Sequence, residues 1–231
     1  MKIKQQSEFK YSYLLGKSAK IDKSDKYSKY KNFIMYLSPY DISGVNICPN
    51  ASKGCAAACL NMAGRGKFNN VQNARLQRTL HYLSNRVEFL RNLRAEILYH
   101  ATINDKIAIR LNGTSDLNFN SFIKKMTEVV PHVVWYDYTK NIRQAIKSLT
   151  IPNYHITFSR SETNDVDCMK ALSLGINVAV VFRKELPSTW NGFKVIDGDI
   201  SDTRFLDKSG VVIGLRAKGP AKKDTSGFVV D

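Results

Sequence analysis

A regular alternation of short apolar runs and helical stretches occupies the chain from residue 104 onward. Strands that alternate with helices of about ten residues are typical of βαβ units and therefore of a parallel sheet. We predict strands over Lys106–Leu111, His132–Tyr136, Tyr154–Phe158, Asn177–Phe182, Phe193–Ile196 and Val211–Leu215. We predict helices over Phe122–Val130, Ile142–Leu149 and Val166–Leu174.

The segment before this alternation supplies one more strand, over Phe33–Leu37, and a long helical region. Residues 69–100 carry apolar side chains in steps of three and four, which predicts one or two amphipathic helices. We expect the arginines of this region to lie on a solvated face: Arg75, Arg78, Arg86, Arg91 and Arg94. Because successive βαβ crossovers are right-handed, we expect an α/β fold whose parallel sheet of about six to seven strands curls into a partial or complete (β/α) barrel.

The organisation expected is a basic N-terminal arm over residues 1–32 and a single α/β domain over 33–231, with a cysteine-rich loop at 46–66. Lys and Arg number 35 against 20 Asp and Glu, a net charge of +15. Such a charge favours phosphate-rich partners, although a general bias toward lysine would also explain it. No apolar run approaches the ~20 residues that a bilayer requires, and no secretory signal is evident, so we expect a cytoplasmic protein without a membrane partner.

Polar residues follow the predicted strands directly. In parallel α/β folds the chemistry lies in the loops at the carboxyl ends of the strands. Four aspartates occupy these positions and are the candidate catalytic or substrate-contacting residues: Asp116, Asp137, Asp197 and Asp199. The alternative is that such residues only cap the helices that follow.

Three of the four cysteines, Cys48, Cys55 and Cys59, form a C-x6-C-x3-C pattern. Clustered cysteines in a reducing compartment indicate a metal or redox centre, and three local ligands leave a fourth position open. Three interpretations remain: a [4Fe–4S] cluster, a zinc ion completed by Cys168 or a histidine, and buried cysteines without a metal. Cys168, on a predicted helix, is expected to be a core residue.

The chain resembles the phage "gene product 88" family over about residues 33–231. The resemblance is carried by Asn46-Ile47-Cys48-Pro49, Ser52-Lys53-Gly54-Cys55, Cys59-Leu60, Ala63-Gly64, Arg110–Asp116, Tyr136–Lys140 and Val195–Asp199. It implies a bacteriophage or mobile-element origin, and hence the host cytoplasm. It implies no established activity.

A looser resemblance is to radical-SAM enzymes, in which a first strand, a three-cysteine loop and a partial βα barrel follow one another. Their usual spacing is C-x3-C-x2-C, and this chain departs from it. The resemblance implies a [4Fe–4S] cluster with S-adenosylmethionine as cofactor. By position it implies that four residues bind this cofactor: Arg110, Asn112, Ser159 and Glu162.

We therefore expect an iron–sulfur enzyme, resembling radical-SAM enzymes, that acts on nucleic acid, preferably DNA, or on a nucleotide. A basic C-terminal segment would hold the nucleic-acid backbone through Arg216, Lys218, Lys222 and Lys223, unless it is only a solvated tail. One alternative is a zinc-containing base-exchange enzyme that uses the aspartates as nucleophile and general acid. Another is a nucleic-acid-binding accessory protein whose metal is structural.

Overall fold

The chain forms a mixed α/β fold built on one large sheet, and the computed structural model describes residues 9–17, 19–59, 61 and 64–231. The strands are β1 Leu15–Gly16, β2 Lys31–Met35, β3 Ile107–Arg110, β4 Val134–Thr139, β5 Tyr154–Ser159, β6 Asn177–Phe182, β7 Thr189–Trp190, β8 Phe193–Asp197, β9 Val212–Arg216 and β10 Val229–Val230. The α-helices are α1 Ala19–Ser28, α2 Lys53–Ala57, α3 Asn69–Ser84, α4 Arg86–Thr102, α5 Asn120–Val129, α6 Ile142–Ser148 and α7 Asp165–Ser173.

The sheet order is β1-β2-β3-β4-β5-β6-β9-β8-β7, with β10 paired to β6. Every pair from β2 through β8 along this path is parallel, while β1 and β7 are antiparallel to their neighbours at the two ends. The predicted parallel α/β sheet is thereby confirmed. In the part of the chain that the structure describes, no pairing joins β1 to β7, so barrel closure stays a prediction.

The two faces of the sheet bury different partners. Trp135 on β4 points into the main apolar core, which the helices of the crossovers cover. The next residue, Tyr136, points to the opposite face, where its ring lies 5.5 Å from that of Phe205. Phe205 belongs to a 3-10 turn, Arg204–Leu206, that contacts β4 and β5. The segment around residues 201–206 therefore covers part of the face that the crossover helices leave open.

The predicted N-terminal arm is partly built into this fold. Residues 1–8 lie outside the described part of the chain, and β1 and α1 occupy much of the remainder. Helix α1 is attached to the segment that follows β8, because the Ser24 hydroxyl accepts a hydrogen bond of 2.9 Å from the peptide N–H of Asp202. Ile21 on the same helix is fully buried. The many lysines of this segment led to its prediction as an arm, so these contacts were not expected from the sequence.

Four strands, β4, β5, β8 and β9, extend beyond their predicted ends, because the polar residues at the carboxyl edge still belong to the ladder. The predicted ends of the first two strands, Leu37 and Leu111, instead lie beyond the observed ends of β2 and β3. Thr139 pairs with Phe158, and Ser159 pairs with Ala179. Side chains expected in loops are therefore held by strands. None of the helices in the described ranges combines the length and the apolar character that crossing a bilayer requires.

Gly113, just after β3, lies where there is no room for a side chain. A Cβ atom there would approach the carbonyl oxygen of Met35 to 2.7 Å and Cγ2 of Ile34 to 2.6 Å. We expect Gly113→Ala to lower the free energy of unfolding by about 1–3 kcal/mol, since β2 and the loop must move apart. Urea denaturation measures this change.

Gly16→Ala is the matched control, because a Cβ atom there meets only ordinary contacts of 3.8 and 3.9 Å. We expect a change within about 0.5 kcal/mol for this variant. Equal destabilisation by both substitutions would show that the close approach at Gly113 is not a constraint on the fold.

Candidate functional site

The three clustered cysteines lie in the long connection between β2 and α3, at the carboxyl-terminal edge of the sheet, and each is half-buried. Burial raises the pKa of the Cys48 thiol to about 11. The other two cysteines, Cys55 and Cys59, contribute to the same increase, which requires the three sulfur atoms to lie within electrostatic range of one another. The three cysteines therefore share one part of the connection, and their role as metal ligands stays a prediction.

Hydrogen-bond donors are directed at two of these sulfur atoms. The peptide N–H of Tyr40 donates to Cys48 Sγ at 3.3 Å. Burial raises the pKa of Cys59, while the peptide N–H of Asn61 and the guanidinium of Arg75 oppose that increase. Donors around a sulfur stabilise the thiolate, the form that binds metals. Among the described residues, no three His, Cys, Asp or Glu side chains are grouped closely enough to hold a single metal ion.

Glu162 fixes the short helix that carries Cys55. The Ser52 hydroxyl caps this helix by accepting from the Cys55 N–H at 3.1 Å, and it donates to Glu162 Oε2 at 2.6 Å. The Gly54 N–H donates to Glu162 Oε1 at 2.8 Å. Partial burial favours the neutral acid, but these hydrogen bonds lower the pKa of Glu162 and keep it a carboxylate. Glu162 therefore positions the cysteine loop.

Gly54 also lets the end of the chain approach this helix. A Cβ atom at this position would lie 2.2 Å from Ser226 Oγ and 2.8 Å from Phe228 Cβ. Only glycine is compatible with that packing. The C-terminal segment is therefore one wall of the cysteine site.

Asp116 ties the cysteine loop to the strand ends. Its carboxylate accepts hydrogen bonds from Thr139 Oγ1 at 2.6 Å, from the Lys140 N–H at 3.1 Å and from Asn50 Nδ2 at 3.3 Å. Asn50 lies two residues beyond Cys48. The carboxylate predicted to be catalytic is thus engaged in joining two neighbouring loops.

Asp137 is a buried residue of β4 whose carboxylate reaches the end of β3. It accepts from the peptide N–H groups of Asn112 at 2.8 Å and Leu111 at 3.3 Å, and Arg110 Nε lies 3.8 Å away. Burial raises the pKa of Asp137 to about 7, although Arg110 and the two peptide groups act in the opposite direction. Asp116 accepts a hydrogen bond from Thr139, which lies on the same strand as Asp137. The two predicted aspartates are therefore in the same region of the structure.

The residues predicted to bind a cofactor differ in what they contact. Arg110 places its guanidinium 4.5 Å from the ring centroid of Tyr138. Asn112 is committed to its own loop, since its Nδ2 donates to the Leu117 carbonyl at 2.9 Å and its Oδ1 accepts from the Leu117 N–H at 2.9 Å. Ser159 is the last residue of β5 and is half-buried. Arg110 is engaged by its own loop as well, since its Nε donates to the Asn112 carbonyl at 3.1 Å.

The second pair of predicted aspartates, Asp197 and Asp199, lies at the carboxyl end of β8. Both form ion pairs with basic residues that were predicted to contact nucleic acid. Arg216 Nη1 lies 2.9 Å from Asp197 and 3.3 Å from Asp199. Lys218 Nζ lies 2.5 Å from Asp199. Lys222 and Lys223 are exposed on a 3-10 turn and have no carboxylate within ion-pair distance among the described residues. The four predicted basic residues therefore fall into a paired set and an unpaired set.

Arg75 is a site residue that sequence reasoning missed. Its side chain is 8% exposed, its guanidinium lies 5.0 Å from the Tyr36 ring centroid, and it donates to Asn61 Oδ1. The expected solvated face is wrong for Arg75, although Arg86, Arg91 and Arg94 are exposed as predicted. Helical spacing offered one signal, because Arg75, Thr79 and Tyr82 share a face and all three are buried. Cys168 is fully buried, which confirms its assignment to the core.

The buried carboxyl of Asp137 predicts a pH-dependent stability. Because its folded-state pKa of about 7 exceeds that of an unfolded chain, its contribution is present at acidic pH and is lost as the pH rises from about 4 through about 7. The loss amounts to at most about 4 kcal/mol. Urea unfolding across this range should show a shallower fall in Asp137→Asn than in the wild type.

Asp105→Asn, at an exposed position before β3, serves as the control and should keep the wild-type dependence. An unchanged pH dependence in Asp137→Asn would contradict the assignment of this carboxyl as a buried, titrating group.

Comparison with known proteins identifies the family but no characterised relative. A family model described as gene product 88 matches residues 12–231, nearly the whole chain. No curated protein and no solved structure matches it. The matched range includes the cysteine loop, Asp116, Glu162 and the C-terminal wall of the site. The protein is accordingly a member of the phage gene product 88 family.

Proposed function

We propose that this protein is an iron–sulfur enzyme in which Cys48, Cys55 and Cys59 hold a [4Fe–4S] cluster with one iron open to S-adenosylmethionine. The observation that supports the proposal is the placement of three half-buried cysteines in the one connection that follows the carboxyl end of β2. Three thiolates bind three irons of such a cluster and leave the fourth for an exogenous ligand.

The sulfur atoms have surroundings that suit an iron–sulfur cluster, although thiolates also bind zinc. Thiolate sulfur is the ligand that iron–sulfur clusters take, and N–H groups directed at the sulfurs are among the features that set their potentials. The Tyr40 and Asn61 N–H groups supply such donors.

Cys48, Cys55 and Cys59 would hold the cluster, which would supply one-electron reductive cleavage of S-adenosylmethionine with an electron from a donor of the host cell. The protein's part is to bind, orient and exclude water. Glu162 and Ser52 hold the helix that carries Cys55, and Asp116 holds the loop that carries Cys48. Arg110 presents a guanidinium suited to the carboxylate of the cofactor.

The base-exchange alternative is less well supported. It requires a carboxylate able to attack a substrate, but Asp116 and Asp137 each accept several hydrogen bonds from neighbouring loops. Asp197 is ion-paired with Arg216. We therefore assign positioning roles to these carboxylates within the iron–sulfur proposal.

Metal and sulfide analysis of protein purified without oxygen tests the cluster. We expect about four irons and about four sulfides per chain, with thiolate-to-iron absorption near ~400 nm. Cys48→Ala, Cys55→Ala and Cys59→Ala should each lose the absorption while the far-ultraviolet circular dichroism is kept. Cys168→Ala is the matched control and should retain the iron, because Cys168 lies in the core on α7.

One zinc and no iron per chain would overturn the proposal, as would equal iron loss in Cys168→Ala. For the reaction, reduced protein with S-adenosylmethionine should release 5′-deoxyadenosine, and the three cysteine variants should release none. A full iron complement without any cleavage would refute the enzymatic half of the proposal and leave the cluster assignment intact.

A further inference from the structure

A groove runs between α2 and the C-terminal segment, beside the cysteine site. It consists of two adjoining cavities of ≈320 Å³ and ≈540 Å³ that share Lys223, Asp224 and Thr225. Lys53 on α2 lines the smaller cavity, and Arg183 lines the larger one. We call this feature the C-terminal groove.

The C-terminal groove carries unpaired positive charge. Lys53 and Lys223 are exposed, and among the described residues no carboxylate lies within ion-pair distance of either. Two carboxylates also line the groove: Asp231 is paired with Arg183, and Asp224 accepts from Ser226 Oγ at 2.7 Å and from the Val229 N–H at 3.0 Å. The two lysines are therefore available to an external anion.

Small side chains line the α2 side of the smaller cavity, namely Ala57 and Ala58, and Pro220 lines it from the C-terminal segment. Cys55 lies on the same helix and packs against the small apolar cluster that contains Ala58 and Phe228. A ligand in the C-terminal groove would thus lie against the helix that carries a cysteine of the candidate cluster.

We propose that the C-terminal groove binds the phosphate backbone of a single-stranded nucleic acid, with Lys53 and Lys223 as phosphate contacts. Each cavity has a volume in the range of about 300–1,000 Å³ that accommodates one small ligand such as a nucleotide. Their continuity through Lys223 fits successive nucleotides of one strand. The inference names the substrate class of the proposed enzyme and rests on the proposed function in that respect.

The ion pairs at the end of β9 explain why some basic residues of this region can bind a phosphate and others cannot. Arg216 and Lys218 are held by Asp197 and Asp199, so they offer little to a phosphate. Lys53 is distant from them in sequence but lies across the groove from Lys223. The nucleic-acid contacts therefore come from two elements on either side of a groove, and not from a continuous basic tail.

Fluorescence anisotropy with a labelled oligodeoxythymidylate of about 20 nucleotides tests the inference, using the full chain purified without oxygen. We expect the double variant Lys53→Ala/Lys223→Ala to bind about tenfold more weakly at low salt. The slope of log affinity against log salt should fall by about 1.4, since each phosphate contact to a single strand contributes about 0.7.

Lys125→Ala/Lys147→Ala is the matched control, because it removes the same charge from exposed positions on α5 and α6. We expect its affinity and salt slope to match the wild type. Equal weakening in both double variants would overturn the inference in favour of diffuse charge. Tighter binding of a duplex of the same length would overturn the assignment of a single strand as the ligand. Equal competition by thymidine monophosphate would overturn the assignment of a polymer as the ligand.

Iron analysis of the same preparations separates the two proposals. Strand binding that depends on Lys53 and Lys223 in protein without iron would support the groove and refute the cluster. A full cluster in protein that binds no strand would refute the groove and leave the cluster proposal intact.

Discussion

The carboxylate of Asp116 holds together the parts of the protein on which the candidate site depends. It accepts hydrogen bonds from the end of β4 and from the cysteine loop, and its own peptide N–H donates to the Ile47 carbonyl at 3.0 Å. Parallel strands deliver their carboxyl ends to one edge, but they do not fix the loops that follow. One side chain with several acceptor positions joins these loops, and the neighbouring Glu162 does the same for the helix of Cys55.

The sequence predicted the central sheet well because its strands are buried on both faces. Asn177–Phe182 was predicted with its observed limits, since a continuous apolar run leaves little choice of register or end. The shortest elements, β1, β7, β10 and α2, escaped prediction. They contain two to five residues, and tertiary contacts determine their conformation. Helix α1 was missed because its lysines mask the few residues that it buries.

The candidate site was predicted in its residue types but only partly in their roles. The cysteine spacing singled out the three thiols, the position after each strand singled out Asp116 and Asp137, and the resemblance to radical-SAM enzymes singled out Glu162. The role of each carboxylate depends on its hydrogen-bond partners. These partners come from loops that are far apart in the sequence. Likewise, nothing in the sequence distinguishes Lys218 from Lys223, yet one is neutralised by Asp199 and the other faces an open groove.

The close packing of Gly54 against Ser226 and Phe228 joins two segments that lie far apart in the sequence. Strand β10 pairs with β6 and anchors the second of these segments beside the cysteine loop. Because a ribosome makes Gly54 long before Ser226 and Phe228, this side of the cysteine loop is the later-made part of the site. The loop therefore reaches its folded surroundings only after the strands between the two segments have been made.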